Sequence, residues 1–143
     1  MPIDRRHIGF RLQPFTVLVK AEQLRRFAEA IGIGDPHIDH SVAPPTYMKV
    51  IEGEGNSSRA IVSALQIDLR HILHVEQEFE YGAPIRVGDC VTVERTVADI
   101  YTKKGGALEF VVVDSTLHNG DGASLGRARQ TILVRNEQHG EPP

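Results

Sequence analysis

The second half of this 143-residue chain contains four long segments rich in β-branched residues, and these constrain the fold more than any other feature. The segments, at residues 72–81, 90–101, 107–118 and 124–135, are typical of β-strands. The last three are separated by Lys-Lys-Gly-Gly at 103–106 and Asn-Gly-Asp-Gly at 119–122, which supply the positive φ that tight hairpin turns require. We therefore predict that the last three strands are antiparallel neighbours in one sheet.

The first half of the chain predicts one short strand and one amphipathic helix. Residues 15–19 form a short apolar run typical of a strand. In the helix, predicted over residues 21–31, apolar side chains follow the i, i+3, i+4, i+7 spacing: Leu24, Phe27, Ala28 and Ile31. Charged side chains cover the opposite side: Glu22, Arg25, Arg26 and Glu29. This pattern predicts a helix on the surface of the domain.

A second, more apolar helix is predicted to begin near Thr46, because Pro44 and Pro45 set φ for a helical first turn. Its apolar residues lie on more than one side, so it requires burial: Tyr47, Met48, Val50 and Ile51. Strands of about 12 residues span about 40 Å, and such a sheet exceeds what one surface helix covers. We therefore expect the second helix to lie on the sheet. Residues 60–69 are apolar with an ambiguous period and receive no assignment.

Residues 107–118 also predict which face of the sheet is covered. Leu108, Phe110 and Val112 alternate with Glu109, which predicts one face buried beneath the helices and one facing solvent. Val111 and Val113 make part of the other face apolar as well. Because exposed apolar patches mark interfaces, this surplus predicts a dimer.

Length and composition predict one domain spanning residues 1–143, with a polar, frayed tail at 136–143. The single cysteine, Cys90, cannot form an intramolecular disulfide, and no secretory leader is evident, so we expect reducing cytoplasm. No apolar run approaches the roughly 20 residues of a membrane helix, and a net charge of -3 disfavours nucleic acid. No zinc site with thiolate ligands can form around one cysteine, and we predict no metal site.

The loop between the two helices carries the residues best suited to chemistry. Residues 35–41 contain two carboxylates and two imidazoles: Asp35, His37, Asp39 and His40. A carboxylate paired with an imidazole can divide the roles of general acid and base near neutral pH. The alternative is that the aspartates only stabilise turns, since aspartate readily accepts bonds from nearby backbone groups.

Several motifs identify a resemblance to a known family. They are Asp-Pro at 35–36, Ala-Pro-Pro-Thr-Tyr at 43–47, Leu-His-Val-Glu-Gln-Glu-Phe-Glu-Tyr at 73–81, and Pro-Ile-Arg-Val-Gly-Asp at 84–89. The chain resembles the MaoC-like dehydratase N-terminal family and is similar to (3R)-hydroxyacyl-ACP dehydratase subunits. The resemblance covers nearly the whole chain. It implies an α+β hotdog fold, in which a long antiparallel sheet wraps around a central helix.

The resemblance also implies an activity, which is the reversible hydration of an enoyl thioester carried on CoA or acyl carrier protein, without a metal or other cofactor. Asp35 and His40 have the family's spacing of five positions between its catalytic aspartate and histidine, and a one-residue gap selects His37 instead. Backbone N–H groups at the helix start are suited to stabilise a thioester enolate, and Pro45, Thr46 and Tyr47 are the expected substrate-binding residues. The expected partner is a second copy or another hotdog subunit.

The function favoured at this point is the hydratase or dehydratase itself. The first alternative is a non-catalytic, acyl-binding subunit that completes the active site of a partner. A third possibility is a hotdog thioesterase, for which Glu52 and Glu54 are the candidate carboxylates. With Gly53 and Gly55 beside them, however, these glutamates are expected at a frayed and solvated helix end.

Overall fold

The computed structural model describes residues 2–136, so the predicted tail beyond Asn136 lies outside the described residues. The strands are β1 (Phe15–Leu18), β2 (Ile72–Tyr81), β3 (Cys90–Lys103), β4 (Leu108–His118) and β5 (Ser124–Arg135). The α-helices are α1 (Ala21–Ala30), α2 (Tyr47–Glu52) and α3 (Ser57–Ala64). Short 3₁₀ turns occupy Arg5–His7, Glu54–Asn56, Leu69–His71 and Lys104–Gly106. The predicted strands and the surface helix are confirmed.

The five strands form one antiparallel sheet in the order β1-β3-β4-β5-β2. The last three strands are hairpin neighbours as predicted, and β2 returns to pair with β5 at the far edge. This order leaves β1 and β2 as the two edge strands. The predicted α+β hotdog architecture, with its sheet around a central helical segment, is confirmed.

The central helical segment is two short helices rather than one. Gly55 adopts φ +65° in the turn between α2 and α3, and this left-handed conformation interrupts the helix. The α3 helix also accounts for part of the stretch to which the sequence assigned no structure. No helix among residues 2–136 is long and apolar enough to cross a membrane.

The two short helices pack on two separate apolar clusters of the sheet. Side chains of α2 lie against the first cluster, where Tyr47, Met48 and Ile51 meet β3, β4 and β5. Side chains of α3 lie against the second, where Ile61 contributes from the helix and Val111 from β4. Burial of this apolar surface is the main force that fixes the helices on the sheet.

The prediction of which face of β4 is covered was wrong. Val111 and Val113 face the helices, together with Glu109, which is fully buried. The carboxylate of Glu109 accepts bonds from the backbone N–H of Ile3 at 2.8 Å and from Asn136 Nδ2 at 2.8 Å. These two partners from the ends of the described chain satisfy the buried charge, so the charged residue is tolerated on the covered face.

Candidate functional site

The loop that precedes α2 begins with a local turn at Asp35. The Asp35 carboxylate accepts the backbone N–H of His37 at 2.8 Å, and its carbonyl accepts the N–H of Ile38 at 3.0 Å. Asp35 and His37 are both exposed. The carboxylate of this candidate catalytic residue is therefore engaged in a turn of its own backbone.

His40 returns to the same turn. Its Nε2 lies 2.9 Å from the backbone carbonyl of Asp35, so the structure brings the two predicted residues together. Within residues 2–136, no hydrogen bond joins the Asp35 carboxylate to the imidazole of His40 or of His37. Since a carbonyl only accepts, this bond places the proton of a neutral His40 on Nε2.

Asp39 acts as a second local cap in the loop. Its Oδ1 accepts both the backbone N–H of Ser41 at 2.9 Å and the Ser41 hydroxyl at 2.6 Å. These two bonds, the hydroxyl bond foremost, lower the pKa of the Asp39 carboxyl below its ordinary value. Asp39 thus stabilises the turn that leads towards α2.

The loop is held in place by residues 85–87, which belong to another of the family-like motifs. The N–H of Ala43 donates to the carbonyl of Ile85 at 2.7 Å, and the N–H of Val87 donates to the carbonyl of Ser41 at 2.8 Å. Two motifs that are distant in sequence therefore meet beside the start of α2.

The three predicted substrate-binding residues fall into two environments. Pro45 and Thr46 are exposed at the start of α2, whereas Tyr47 is buried in the first apolar cluster. The Tyr47 ring meets Phe27 edge to face, with 5.2 Å between ring centroids, and its N–H donates to the carbonyl of Pro44 at 3.0 Å. Burial, with a smaller contribution from Glu54, raises the pKa of the Tyr47 phenol.

The prediction that Glu52 lies at a solvated helix end was wrong, although Glu54 is exposed. The Glu52 side chain has 0% exposure, and neither carboxylate oxygen accepts a hydrogen bond among the described residues. The ammonium of Lys49 lies 3.1 Å from Oε1, at ion-pair distance but without hydrogen-bond alignment, and Arg95 lies 3.9 Å from Oε2. The turn after α2 folds this end of the helix onto the sheet and so buries the charge.

Arg95, on β3, is the centre of a buried group of polar side chains. At 1% exposure, its guanidinium donates four bonds of 2.9 Å, to the hydroxyls of Ser57, Ser58 and Ser115 and to Gln130 Oε1. Burial lowers the pKa of Arg95, and the Glu52 carboxylate opposes this shift. We call this group the polar belt and define it as Glu52, Ser57, Ser58, Arg95, Ser115 and Gln130.

The polar belt separates the two apolar clusters on the covered face of the sheet. On β3, Arg95 lies between Val93 of the first cluster and Val97 of the second. The belt was not predicted from the sequence, although a signal was present: a charged residue interrupts the alternation of valines along one strand. On edge strand β2, Gln77 pairs with Gln130, and both atoms of the Gln77 amide are buried without a hydrogen-bond partner among the described residues.

Strand β2 forms an open edge of the sheet. It is ten residues long and, within the described part of the chain, pairs with β5 alone. Three large apolar side chains along it are about half exposed: Leu73 at 49%, Val75 at 48% and Tyr81 at 58%. An open edge with exposed apolar side chains is a surface on which another strand can add.

No group of three His, Cys, Asp or Glu residues suited to a metal occurs within residues 2–136.

The sequence matches the family described as the FAS1-like dehydratase domain region over residues 6–126. A UPF0336 protein of Cutibacterium acnes is 33% identical over 138 residues, which cover 92% of this chain and 94% of that protein. The structure is similar to a chain in the C-terminally truncated HadBC (3R-hydroxyacyl-ACP dehydratase) complex from Mycobacterium tuberculosis, with a TM-score of 0.75, 21% identity and coverage of 93% of this chain and 99% of that one. It is also similar to a chain of the ChsH1-ChsH2 complex from the same organism, with a TM-score of 0.68, 18% identity and 90% coverage of both chains. The chain therefore belongs to the FAS1-like dehydratase-region family and is a relative of the UPF0336 proteins.

Proposed function

We propose that this chain is the acyl-binding subunit of a two-subunit hotdog enzyme that hydrates enoyl thioesters or dehydrates 3-hydroxyacyl thioesters. In this proposal, the second hotdog subunit supplies the catalytic carboxylate and imidazole. The observation that carries the proposal is the geometry of the loop before α2, where the Asp35 carboxylate bonds to backbone rather than to His40.

We propose reducing cytoplasm as the compartment, in keeping with the free thiol of Cys90.

The chemistry explains why this geometry matters. Hydration requires a base that takes a proton from water and an acid that protonates the α-carbon, with both groups free to reach the substrate. In this loop, Asp35 caps a turn and Nε2 of His40 is committed to a carbonyl. Both groups here stabilise the loop, which favours the binding subunit over the complete enzyme.

Two further observations support a hotdog partner. Strand β2 is an open edge with half-exposed apolar side chains, as a subunit interface requires. Two similar structures are complexes, namely HadBC and ChsH1-ChsH2. The name of the first specifies a hydroxyacyl-ACP dehydratase, which supports a thioester substrate carried on acyl carrier protein or CoA.

A second candidate function is that the chain is catalytic by itself, through Asp35 and either His40 or His37. The observation that favours it is the 2.9 Å contact, which keeps His40 beside Asp35 in an exposed loop. The thioesterase alternative loses one of its two candidate carboxylates, because Glu52 is fully buried, and it then rests on the exposed Glu54 alone.

The decisive experiment compares the hydration of crotonyl-CoA by the purified chain alone with hydration by the chain in complex with a hotdog partner captured from its native cells. We expect turnover only in the complex. Within that complex, Asp35→Asn, His37→Ala and His40→Ala are each expected to leave turnover within about three-fold of the unmodified protein, because general acid–base groups typically contribute 10²-fold or more.

Two results contradict the proposal. Hydration by the chain alone, with a loss of about 10²-fold in Asp35→Asn and in His40→Ala or His37→Ala, would establish the second candidate. Release of free thiol without hydration would establish a thioesterase. Melting temperatures serve as the folding control, since these loop side chains are exposed or half-buried and the bonds of Asp35 and His40 are local to the loop.

A further inference from the structure

Edge strand β2 carries three acidic residues on one face. Glu76, Glu78 and Glu80 alternate along the strand, and all three are exposed on the face away from the helices. Phe79, between the last two, packs into the first apolar cluster on the opposite face. We call these three glutamates the acidic row.

The neighbouring strand neutralises this row only in part. Arg127, which pairs with Glu80, places its guanidinium 3.4 Å from that carboxylate. Arg129 pairs with Glu78, but its guanidinium binds Asp114 on the next strand with two bonds of 2.6 and 2.8 Å. Among residues 2–136, no ion pair involves Glu76 or Glu78. The acidic row therefore presents net negative charge at the open edge.

This row opposes the pairing of β2 with a second copy of itself. Two identical strands related by a two-fold axis pair in antiparallel fashion, and opposed residues point to the same face of the joined sheet. Because Glu76, Glu78 and Glu80 occupy alternate positions on one face, an axis through any residue from 76 to 80 sets at least one glutamate directly opposite another. Like charges in directly opposed positions destabilise a strand pair.

The same edge is nevertheless suited to bind a strand. About half of the surface of three apolar side chains is exposed along it, so the edge offers apolar contact area to a partner strand: Leu73, Val75 and Tyr81. A partner strand with basic side chains opposite the glutamates would bury this apolar surface and also neutralise the acidic row.

We propose that the acidic row selects the partner at the β2 edge: it favours a hotdog subunit whose edge strand carries lysine or arginine opposite the glutamates, and it disfavours a homodimer through this edge. This inference rests on the proposed function, which requires a hotdog partner. It adds the chemical nature of the partner's contact strand and the reason why a second copy is a poor substitute.

The chain itself supplies a probe. The variant E76K/E78K/E80K presents a basic row on an otherwise identical edge, and we mix it with the unmodified chain at low ionic strength. Native mass spectrometry is expected to show the mixed dimer at about ten-fold or more above random pairing, because each opposed charge pair favours it. At about 1 M salt, where the screening length is near 3 Å, the excess is expected to disappear.

A matched control separates local pairing from net charge. The variant E54K/E94K/D121K makes the same change in net charge at exposed residues outside β2, and we expect no excess of its mixed dimer with the unmodified chain. The milder variant E76Q/E78Q/E80Q removes the repulsion without adding charge, so it is expected to self-associate about three-fold or more tightly than the unmodified chain. This second readout applies even if the lysine variant does not fold.

Random pairing in the lysine mixture, or an equal excess in the control mixture, would overturn the inference. So would unchanged self-association of the glutamine variant. These outcomes are independent of the hydration assay, because the lysine and glutamine experiments measure pairing in the absence of substrate. Turnover by the chain alone would overturn the proposed function and leave the pairing result standing.

Discussion

Replacement of Arg95 by methionine is the most informative test of what holds this fold together. The substitution keeps a long unbranched side chain on β3 but removes the one fully buried cation near Glu52 among residues 2–136. It also removes the four donors that bind Ser57, Ser58, Ser115 and Gln130. The carboxylate of Glu52 then retains only Lys49, whose side chain is 33% exposed.

The expected cost follows from the burial of this charge. Removal of one partner of a buried ion pair typically costs 3–5 kcal/mol in the free energy of unfolding. For a domain of this size, each kcal/mol lowers the melting temperature by about 2–4 °C. We therefore expect Arg95→Met to lower the melting temperature by roughly 6–20 °C. As a control, Arg129→Met breaks the solvent-facing pair with Asp114 and is expected to cost about 1 kcal/mol or less.

The assignment of this cost to Glu52 is tested by a double-mutant cycle. Glu52→Gln alone leaves Arg95 with its four neutral acceptors, so a loss below about 2 kcal/mol is expected. In the Arg95→Met background, the same change removes a buried carboxylate whose remaining ion-pair partner among the described residues is Lys49, and it is expected to restore about 1–3 kcal/mol. Urea unfolding followed by circular dichroism measures all four proteins, with unchanged m-values as the check on two-state behaviour.

Two results would refute this reasoning about Glu52. One is an Arg95→Met protein within 1 kcal/mol of the unmodified chain, about the scale of an ordinary exposed substitution. The other is a double variant whose loss equals the sum of the two single losses. Additivity would mean that the two buried charges do not interact energetically.

Three further predictions concern other positions. Gly126→Ala is expected to cost about 2 kcal/mol or more in urea unfolding, because a Cβ would clash with the carbonyl of Glu80 on β2 and because Gly126 has a φ of +141°. Gly120→Ala, where a Cβ would meet open space, is the control and is expected to be close to neutral. Burial raises the pKa of the Tyr47 phenol, so the folded state favours its protonated form, and the stability of the protein is expected to fall as pH rises above about 10. Urea midpoints measured over a pH series test this, and the Tyr47→Phe variant is expected to lack the part of the fall that is due to Tyr47. Glu109→Ala is expected to cost about 2–3 kcal/mol by chemical denaturation, because it leaves the N–H of Ile3 without its acceptor, and a cost below 1 kcal/mol would contradict the role given to that bond.

Several elements could be predicted from the sequence because their causes are local. The limits of β2 and β5 matched the β-branched segments, since strand patterning and glycine-rich turns act over a few residues. The first helix was predictable from its apolar spacing. The hotdog fold was predicted from the family resemblance, and Ala43 and Ile85, which belong to two of the motifs that carry it, are hydrogen-bonded in the structure.

The covered face of β4 illustrates what local pattern cannot decide. The alternation of residue types along β4 shows that the strand has two different faces, but it does not show which face the helices cover. Glu109 is tolerated on the covered face because Ile3 and Asn136, distant in sequence, satisfy its carboxylate. Such partners become adjacent only when the whole chain has folded.

The sequence by itself thus determined the strands, the surface helix and the family resemblance, because short-range spacing and turn chemistry specify each of them. Only the tertiary structure decided that Glu52 is buried beside Arg95, that the central helical segment is divided in two, and that the Asp35 carboxylate caps a turn instead of facing His40. These outcomes depend on the positions of backbone carbonyls, neighbouring strands and solvent around each charged group. That environment is a property of the packed chain, because the free energy of a charge depends on which groups replace the water around it.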